Sequence, residues 1–364
     1  MSEIQVGQIN STDGSTAITT GADGYVSFAK TQIGGRRNLI INGAMQVWQR
    51  TTSKETVANN DYIADRFRIK VTGTDGNLDV ARESTIVPEG FGYSMKLSMD
   101  ASESSIGAAD FVRIQQFIEG QNVQQLKKGT SNAEKVTLSF WVRSSVASTY
   151  TVNLGDADNS RNISKAYTIN AADTWEYKTL TFDGDTTGTL DNDNQKSFEV
   201  DFWIDAGSDY TSGTFATSWE SSTSANEVYD TTGWLESTTP TFYITGVQLE
   251  VGTVATPFEH ISYGEELALC QRYYEVGNIL AGSNLLMYCG DVTSGVDYYA
   301  SIRFMTQKRA APTITNTYRD NRFFPTSAGT TGAIDPIAFR IAKTANGTGT
   351  GGYYSDDWTA DAEL

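Results

Sequence analysis

Two segments far apart in the chain constrain its fold more than any other feature of the sequence. The first is NLIINGAMQVWQR at residues 38–50, where an apolar run is followed by the turn signal Asn42-Gly43 and a second apolar run. The second is TGVQLEVGTVATPFEHISYGEELALCQRYY at residues 245–274. We expect the first to be an opening strand. We expect the second to contain the end of a closing strand at 242–249, a loop and a short helix, so that the pair brackets one domain.

Between these segments the sequence alternates as an antiparallel β-sheet does. Residues 136–143, 150–154 and 176–182 follow a period of two, and residues 198–204 have the denser apolar content of a central strand. Loops rich in Gly, Asp, Asn and Ser separate these runs. The predicted fold class is all-β, with a central antiparallel jelly-roll β-sandwich. Helical periodicity is brief, at residues 115–128 and 263–274.

Shifts in composition divide the chain into four predicted parts. They are an N-terminal segment at 1–37, the jelly-roll sandwich at 38–258, a linker with a short helix at 259–274, and a small C-terminal β domain at 275–364. The first part has too few apolar residues to close a core, so we expect it to fold against copies of itself or against a partner. No repeat of fixed period is found, which argues against solenoids and propellers.

Charge and rare residues exclude several function classes. The formal net charge of −17 repels phosphate, so no nucleic-acid partner is expected. Long apolar runs and a secretory signal are absent from the sequence, so we expect synthesis in a cytoplasm and no membrane insertion. The single histidine, His260, removes most histidine-based catalytic and metal chemistry. We expect no cofactor and no metal, and we expect Cys270 and Cys289 to be buried thiols.

The two bracketing phrases resemble those of bacteriophage tail-fibre and receptor-binding proteins. In that family "NLIINGxxxxWQR" and "VQLExGxxATPFExxxxxEELxLCQRYY" recur nearly as they stand in this chain. The leader IQVGQINSTDGSTAITTGADGYVSFAK resembles the virion-anchoring segments of such fibres. The resemblance implies a homotrimer in the virion, made in the host cytoplasm and attached to phage tail or virion proteins through residues 1–37. It also implies that the C-terminal module is the fibre tip and that the partner is a host surface polysaccharide.

The order of strands between the brackets resembles a jelly roll of the carbohydrate-binding-module type. The phrases that carry this resemblance are LSFWVRS at 138–144, TWEYKTLTF at 174–182 and FYITGVQLE at 242–250. Such modules often hold a structural Ca²⁺ through an acid after the opening "NG" and another in the closing strand. Gln46 and Thr245-Gly246 occupy those places here, and Ca²⁺ prefers charged oxygen ligands, so the departure argues against the metal.

Aromatic side chains in loops and in the last domain are the candidate glycan contacts, because exposed rings stack on the apolar faces of sugars. The candidates are Trp219, Tyr229 and Trp234 in the 209–240 insert, and Tyr298, Tyr299, Tyr353, Tyr354 and Trp358 in the C-terminal domain. The alternative is that these rings cover the edge of the sandwich or pack between subunits. Trp141 and Trp203 lie inside predicted strands and are expected to be core residues.

Three functions remain open at this stage. The chain is a receptor-binding fibre subunit, a structural fibre or decoration protein without receptor contact, or a virion-associated glycan depolymerase. A glycosidase needs two carboxylates across a cleft, whereas pairs such as Asp156/Asp158, Asp191/Asp193 and Asp356/Asp357 lie in loops where turn chemistry explains them. We therefore expect a binding protein and not an enzyme, with glycan recognised by the C-terminal domain, the jelly roll, or both.

Overall fold

The computed structural model describes residues 8–10, 16–20, 26–28, 36–74, 76–278, 285–324 and 330–364. Antiparallel strands dominate, and no helix among these residues is long and apolar enough to cross a membrane. The strands are β1 Gln8–Asn10, β2 Thr16–Thr20, β3 Val26–Phe28, β4 Ser53–Lys54, β5 Asp61–Tyr62, β6 Arg68–Thr72, β7 Leu78–Glu83, β8 Ser94–Met99, β9 Phe111–Glu119, β10 Val136–Ser144, β11 Thr149–Asp156, β12 Arg161–Thr168, β13 Glu176–Phe182, β14 Lys196–Ala206, β15 Glu220–Ser221, β16 Thr241–Val251, β17 Tyr274–Asn278, β18 Leu285–Val292, β19 Asp297–Arg303, β20 Thr313–Arg322, β21 Thr330–Gly332, β22 Ala338–Thr344 and β23 Gly349–Asp361. The α-helices are α1 Ser208–Thr211 and α2 Tyr263–Gln271.

Two antiparallel sheets face each other across one hydrophobic core. One sheet has the strand order β13-β10-β16-β8-β7-β4 and the other has the order β15-β12-β11-β14-β9-β6-β5. Phe140 of β10 and Phe202 of β14 meet edge to face across the core, with ring centroids 5.1 Å apart. The predicted all-β sandwich is confirmed, and the strands predicted at 136–143, 150–154 and 176–182 correspond to β10, β11 and β13. Strand β14, predicted to be central, lies in the middle of its sheet.

The opening strand predicted for residues 38–50 is wrong, because this segment forms turns and loops. Asn42 has a φ of 62°, and its side-chain amide both donates to and accepts from the backbone of Val47 at 2.9 Å. Such local side-chain bonds compete with the ladder of a sheet. The segment nevertheless closes on β16, where Leu39 N donates to the Leu249 carbonyl oxygen at 2.8 Å.

The brief helical periodicity at residues 115–128 does not correspond to an α-helix. Strand β9 runs to Glu119 and is followed by two short 3-10 turns. Ile118 of the strand and Val123 and Leu126 of the turns all reach the core of the sandwich. Three separate structures therefore place apolar residues at a spacing that imitates a helix.

The short helix predicted near the end of the second bracketing phrase is confirmed as α2. Ser262 begins it with a capping box, since its side chain accepts from Glu265 N and the Glu265 carboxylate accepts from Ser262 N. Cys270, a buried free thiol on α2, packs in a small cluster with Ile41 and Val47. The helix therefore fastens the C-terminal part of the chain onto the 38–50 segment.

Beyond α2 the chain is β-rich, as expected. Strands β17, β23, β18 and β20 form one sheet, and β19, β22 and β21 form another. Phe339 lies at the centre of their core, with ring centroids 5.6 Å from Phe304 and 5.2 Å from Trp358. In the N-terminal segment β1, β2 and β3 form a three-stranded sheet, and the rest of residues 1–35 lies outside the described residues.

Buried ion pairs, which we call the junction, join the sandwich to the C-terminal residues. Arg66 is 1% exposed, pairs with Glu363 and lies over the Tyr273 ring, with its Cζ 3.4 Å from the centroid. Arg50 donates to Glu363 at 3.4 Å and lies 3.6 Å from the centroid of Tyr274. Burial alone would lower the pKa of Arg66, but Glu363 and other neighbours outweigh it and the pKa is raised. Glu363 therefore keeps a fully buried guanidinium charged.

Replacement of Gly43 tests the turn that closes the sandwich. A Cβ at this position would lie 2.1 Å from the Val247 carbonyl oxygen, so Gly43→Ala should lower the free energy of unfolding by about 1–3 kcal/mol, as overpacking does. Gly264→Ala on α2 is the control, because its Cβ would meet no atom within 4 Å. The control should stabilise the helix by roughly 0.5–1 kcal/mol. Urea unfolding measures both, and a neutral Gly43→Ala would contradict the close approach.

Replacement of Glu363 tests the junction. Glu363→Gln leaves the buried Arg66 without its anion, so the free energy of unfolding should fall by about 3–5 kcal/mol. The matched control is Glu134→Gln, which removes an exposed pair with Lys127 and should cost at most about 1 kcal/mol. Thermal unfolding of the two variants compares them directly. Equal losses of stability in the two variants would show that the buried Arg66–Glu363 pair contributes no more to stability than an exposed pair does.

Candidate ligand-binding groove

The outer face of the seven-stranded sheet is polar because its strands alternate. On β14, Val200 and Phe202 point into the core, while Asp201 between them points outward. On β9, Ile114 points into the core, while Arg113 points outward. Neighbouring strands repeat this pattern, so charged and amide side chains collect on one surface.

The strand register sets these polar side chains in a row. Asp201 of β14 lies opposite Asn153 of β11 on one side and opposite Gln115 of β9 on the other. The row continues to Ser164 on β12 and to Arg68 on β6. Directly opposed residues in an antiparallel pair have Cβ atoms about 4.5–5.5 Å apart, so the row is continuous across five strands.

A groove of about 640 Å³ runs over this face. One wall of the groove is formed by the 209–240 insert, which follows β14 and contributes Tyr210 and Glu227 to the lining. Two hydrogen bonds fix the insert to the sheet: Ser164 Oγ donates to the Glu227 carbonyl oxygen at 2.7 Å, and Tyr229 N donates to Thr151 Oγ1 at 3.1 Å. The floor of the groove is therefore a β-sheet, and its wall is held to that sheet by hydrogen bonds.

Arg113 holds two carboxyl groups in the groove. Its Nη1 lies 3.2 Å from Asp201 Oδ2 and 3.8 Å from Glu227 Oε2. Burial raises the pKa of Asp201 to about 6 and that of Glu227 to about 7, although Arg113 acts to lower both. Both carboxyls therefore change charge near neutral pH.

Asn162 carries unused hydrogen-bonding capacity on the groove floor. Its side chain is 2% exposed and lines the groove, yet neither its Oδ1 nor its Nδ2 has a hydrogen-bond partner in the described protein. Arg113 Nε is likewise without a partner there. Buried polar groups are normally satisfied. These atoms therefore suit a ligand that both donates and accepts hydrogen bonds.

Trp203 is buried, as expected for a core residue, but it lies on the groove side of the sheet. Its ring centroid is 5.6 Å from that of Phe111 and 5.1 Å from that of Tyr210, and the Arg113 Cζ lies 4.5 Å from it. Because Phe111, Tyr210 and Arg113 pack against its ring, Trp203 supports the floor and does not offer a face to a ligand.

The insert aromatics occupy three different environments. Trp234 is fully buried in the sandwich core, so a direct glycan contact predicted for it is at odds with its position. Trp219 is half-buried, with its Nε1 donating to the Asp183 carbonyl oxygen at 2.7 Å and its ring 5.1 Å from Lys128 Nζ. Tyr229 is 54% exposed and remains available as a contact.

The predicted glycan contacts in the C-terminal domain also differ in how far they are exposed. Trp358 is 5% exposed in the core of this part, which contradicts a surface contact within this chain. Tyr298 packs edge to face on Phe324 with centroids 5.7 Å apart, whereas Tyr299 is 50% exposed, so the two neighbours face opposite sides of β19 as expected. The side chains of Tyr353, Tyr354 and Cys289 lie outside the described residues.

Sequence reasoning missed the groove residues and misplaced Trp141. This residue, expected in the core, lies half-buried on the outer face of the six-stranded sheet, with its centroid 5.3 Å from that of Tyr177. The alternation of side chains along each strand already indicated the face on which these residues lie. Trp141 stands between the core residues Phe140 and Val142, as Asp201 stands between two core residues of β14. Alternation alone could therefore have placed both on outer faces.

Metal binding has no visible site among the residues that the structure describes. No group of three or more His, Cys, Asp or Glu side chains is arranged there to hold an ion.

Comparisons with known proteins give remote similarities. No protein-family model matches the chain, and no curated protein matches it. The enzymatically active domain of tailspike protein 4 of bacteriophage CBA120 is 12% identical with a TM-score of 0.30, and the match covers 59% of this chain and 21% of that one. A family 11 carbohydrate-binding module from Clostridium thermocellum, in complex with a β-1,3-1,4-mixed-linked tetrasaccharide, is 12% identical with a TM-score of 0.28 and coverage of 56% and 98%. The tandem CBM22 domain from Paenibacillus barcinonensis is 11% identical with a TM-score of 0.30 and 92% coverage of each chain.

The two groove carboxyls predict a pH dependence of stability. Their pKa values lie above the ordinary 3.8 of Asp201 and 4.5 of Glu227, so between about pH 4.5 and 7 the folded protein holds protons that the unfolded chain has released. Their contribution to the free energy of unfolding therefore falls as pH rises through this window. Glu227→Gln should remove part of that fall, whereas the exposed Glu134→Gln should not. Urea unfolding across the window measures the slope, and an unchanged slope in Glu227→Gln would contradict the burial of this carboxyl.

Proposed function

We propose that this protein is a subunit of a bacteriophage tail fibre and that it binds host surface glycan in the groove of its seven-stranded sheet. The observation that carries the binding site is Asn162, a buried amide on the groove floor whose two polar atoms have no hydrogen-bond partner among the described residues. Sugar hydroxyls both donate and accept hydrogen bonds, which is the chemistry that a carboxamide matches. Asn153 adds a second amide in the adjacent strand, held by a 2.8 Å bond to Ser164 Oγ.

Attachment and assembly form the second part of the proposal. The bracketing phrases and the leader at 1–37 resemble those of phage fibres, which supports a homotrimer attached to the virion through its N-terminal segment. A groove that is open to solvent and lined by individual hydrogen-bonding groups gives modest affinity. Several copies on one virion would raise the avidity without any new contact. A tip contact through the exposed Tyr299 is compatible with this arrangement.

Binding is proposed in preference to hydrolysis because of Arg113. A glycosidase uses one carboxyl as an acid and a second as a base or nucleophile, on opposite sides of the scissile bond. In the groove the same guanidinium nitrogen contacts both Asp201 and Glu227. A cation between the two carboxyls occupies the space that a sugar ring would need.

Glycan-array binding of the full chain tests the proposed site. Asn162→Ala should abolish or weaken binding by about tenfold or more, because the lost amide bonds are each worth roughly 0.5–1.5 kcal/mol. Trp141→Ala is the matched control, since it removes an aromatic ring from the outer face of the opposite sheet. Tyr299→Ala tests the C-terminal face.

The three variants give separate outcomes. Loss in Asn162→Ala alone supports the groove. Loss in Trp141→Ala or Tyr299→Ala alone would move the site to the opposite sheet or to the C-terminal domain. A folded wild-type chain that binds no glycan on the array would favour a structural fibre protein without receptor contact.

A further inference from the structure

Basic side chains gather at the β6 end of the groove. Arg68 and Lys70 share one face of β6 because they are two residues apart, and Lys70 lies directly opposite Arg113 on β9. Like charges that face each other across strands destabilise a sheet. Burial lowers the pKa of Lys70, and the positive charges of Arg113 and Arg68 lower it further. The chain as a whole has a net charge of −17, so this cluster is a local exception.

The carboxylates in the groove do not form ion pairs with all the basic side chains of this cluster. Lys70 has no carboxylate of a described residue within salt-bridge distance, and Asp201 and Glu199 only partly offset the effects of burial and of the neighbouring arginines that lower its pKa. Arg68 donates through Nε to the neutral Gln115 Oε1 at 2.9 Å and lies 4.3 Å from the centroid of Phe117. Arg113 has its carboxylate partners on Nη1, while its Nε has no hydrogen-bond partner in the part of the chain that the structure describes. Donors and positive charge therefore remain for a ligand.

We propose that this end of the groove binds an acidic group of the glycan, a carboxylate or a sulfate ester, between Lys70 and Arg113. This inference rests on the proposed glycan-binding function and specifies its ligand class. The guanidinium fork of Arg113 matches the paired oxygens of such an anion, and the Lys70 ammonium adds a compact positive charge. The anion offsets the repulsion between two cations that the strand register holds together.

The spacing of the groove sets the size of the ligand. Strands β6 and β12 are four positions apart in the sheet, which corresponds to roughly 19 Å at about 4.8 Å per strand. Lys70 and Asn162 therefore contact different sugar units of one chain. The ligand class is an acidic polysaccharide, bound by its charged group at one end of the groove and by its hydroxyls at the other.

Binding of matched polysaccharides tests this inference. The probes are polygalacturonate and its carboxyl-reduced form, and dextran sulfate and its neutral parent dextran, each measured by calorimetry against the full chain at low and high salt. An acidic probe should bind more tightly than its neutralised partner or dextran, and salt should weaken it. Lys70→Gln should reduce that affinity by about tenfold or more, as the loss of a charged hydrogen bond does. Lys127→Gln, at an exposed lysine outside the groove, is the control.

Each result separates the inference from the function on which it rests. Binding of polygalacturonate alone identifies a carboxylate as the recognised group, and binding of dextran sulfate alone identifies a sulfate ester. Equal binding of a charged probe and its neutral partner, with loss in Asn162→Ala but not in Lys70→Gln, overturns the inference and leaves glycan binding intact. Failure of every probe to bind counts against both.

Discussion

The attachment of the C-terminal residues to the sandwich depends on a buried ionic contact between Arg66 of the sandwich and Glu363 near the end of the chain. A guanidinium that is 1% exposed requires an anion beside it, so the C-terminal strand must return to the sandwich. Helix α2 then fills the space between them, with Cys270 packed on Val47. The two phrases about two hundred residues apart are also in direct contact: Asn42 N donates to Glu266 Oε1 at 2.6 Å, and Gln49 Nε2 donates to the Tyr274 carbonyl oxygen at 2.7 Å.

The same sandwich builds the candidate site through the pleat of its strands. Core residues and groove residues alternate along β9 and β14, so the packing that holds Ile114 and Phe202 inside also fixes Arg113 and Asp201 outside. The insert after β14 adds a wall that two hydrogen bonds between side-chain hydroxyls and the backbone join to the floor. Preorganised polar groups lose little entropy when a ligand binds, which favours binding at such a site.

Local patterns in the sequence predicted the local structure well, and non-local structure poorly. The alternation at 136–143 and the helical periodicity at 263–274 were sufficient because each involves residues that are close in sequence. The predicted strand at 38–50 failed because Asn42 bonds its own neighbours, which an apolar pattern does not reveal. The groove was missed because it requires the register of five strands that are not consecutive in sequence, and Trp234 was misjudged because a polar insert can still send one ring into the core.

We propose that the polar face of the seven-stranded sheet holds the ligand. A crystal structure of the full chain with a bound galacturonate oligosaccharide is the most direct test of this proposal. We expect density along the groove, with a sugar carboxylate between Lys70 and Arg113 and hydroxyls on the amide of Asn162. Density confined to the Trp141–Tyr177 surface of the opposite sheet, or to the face of the C-terminal domain that carries Tyr299, would contradict it.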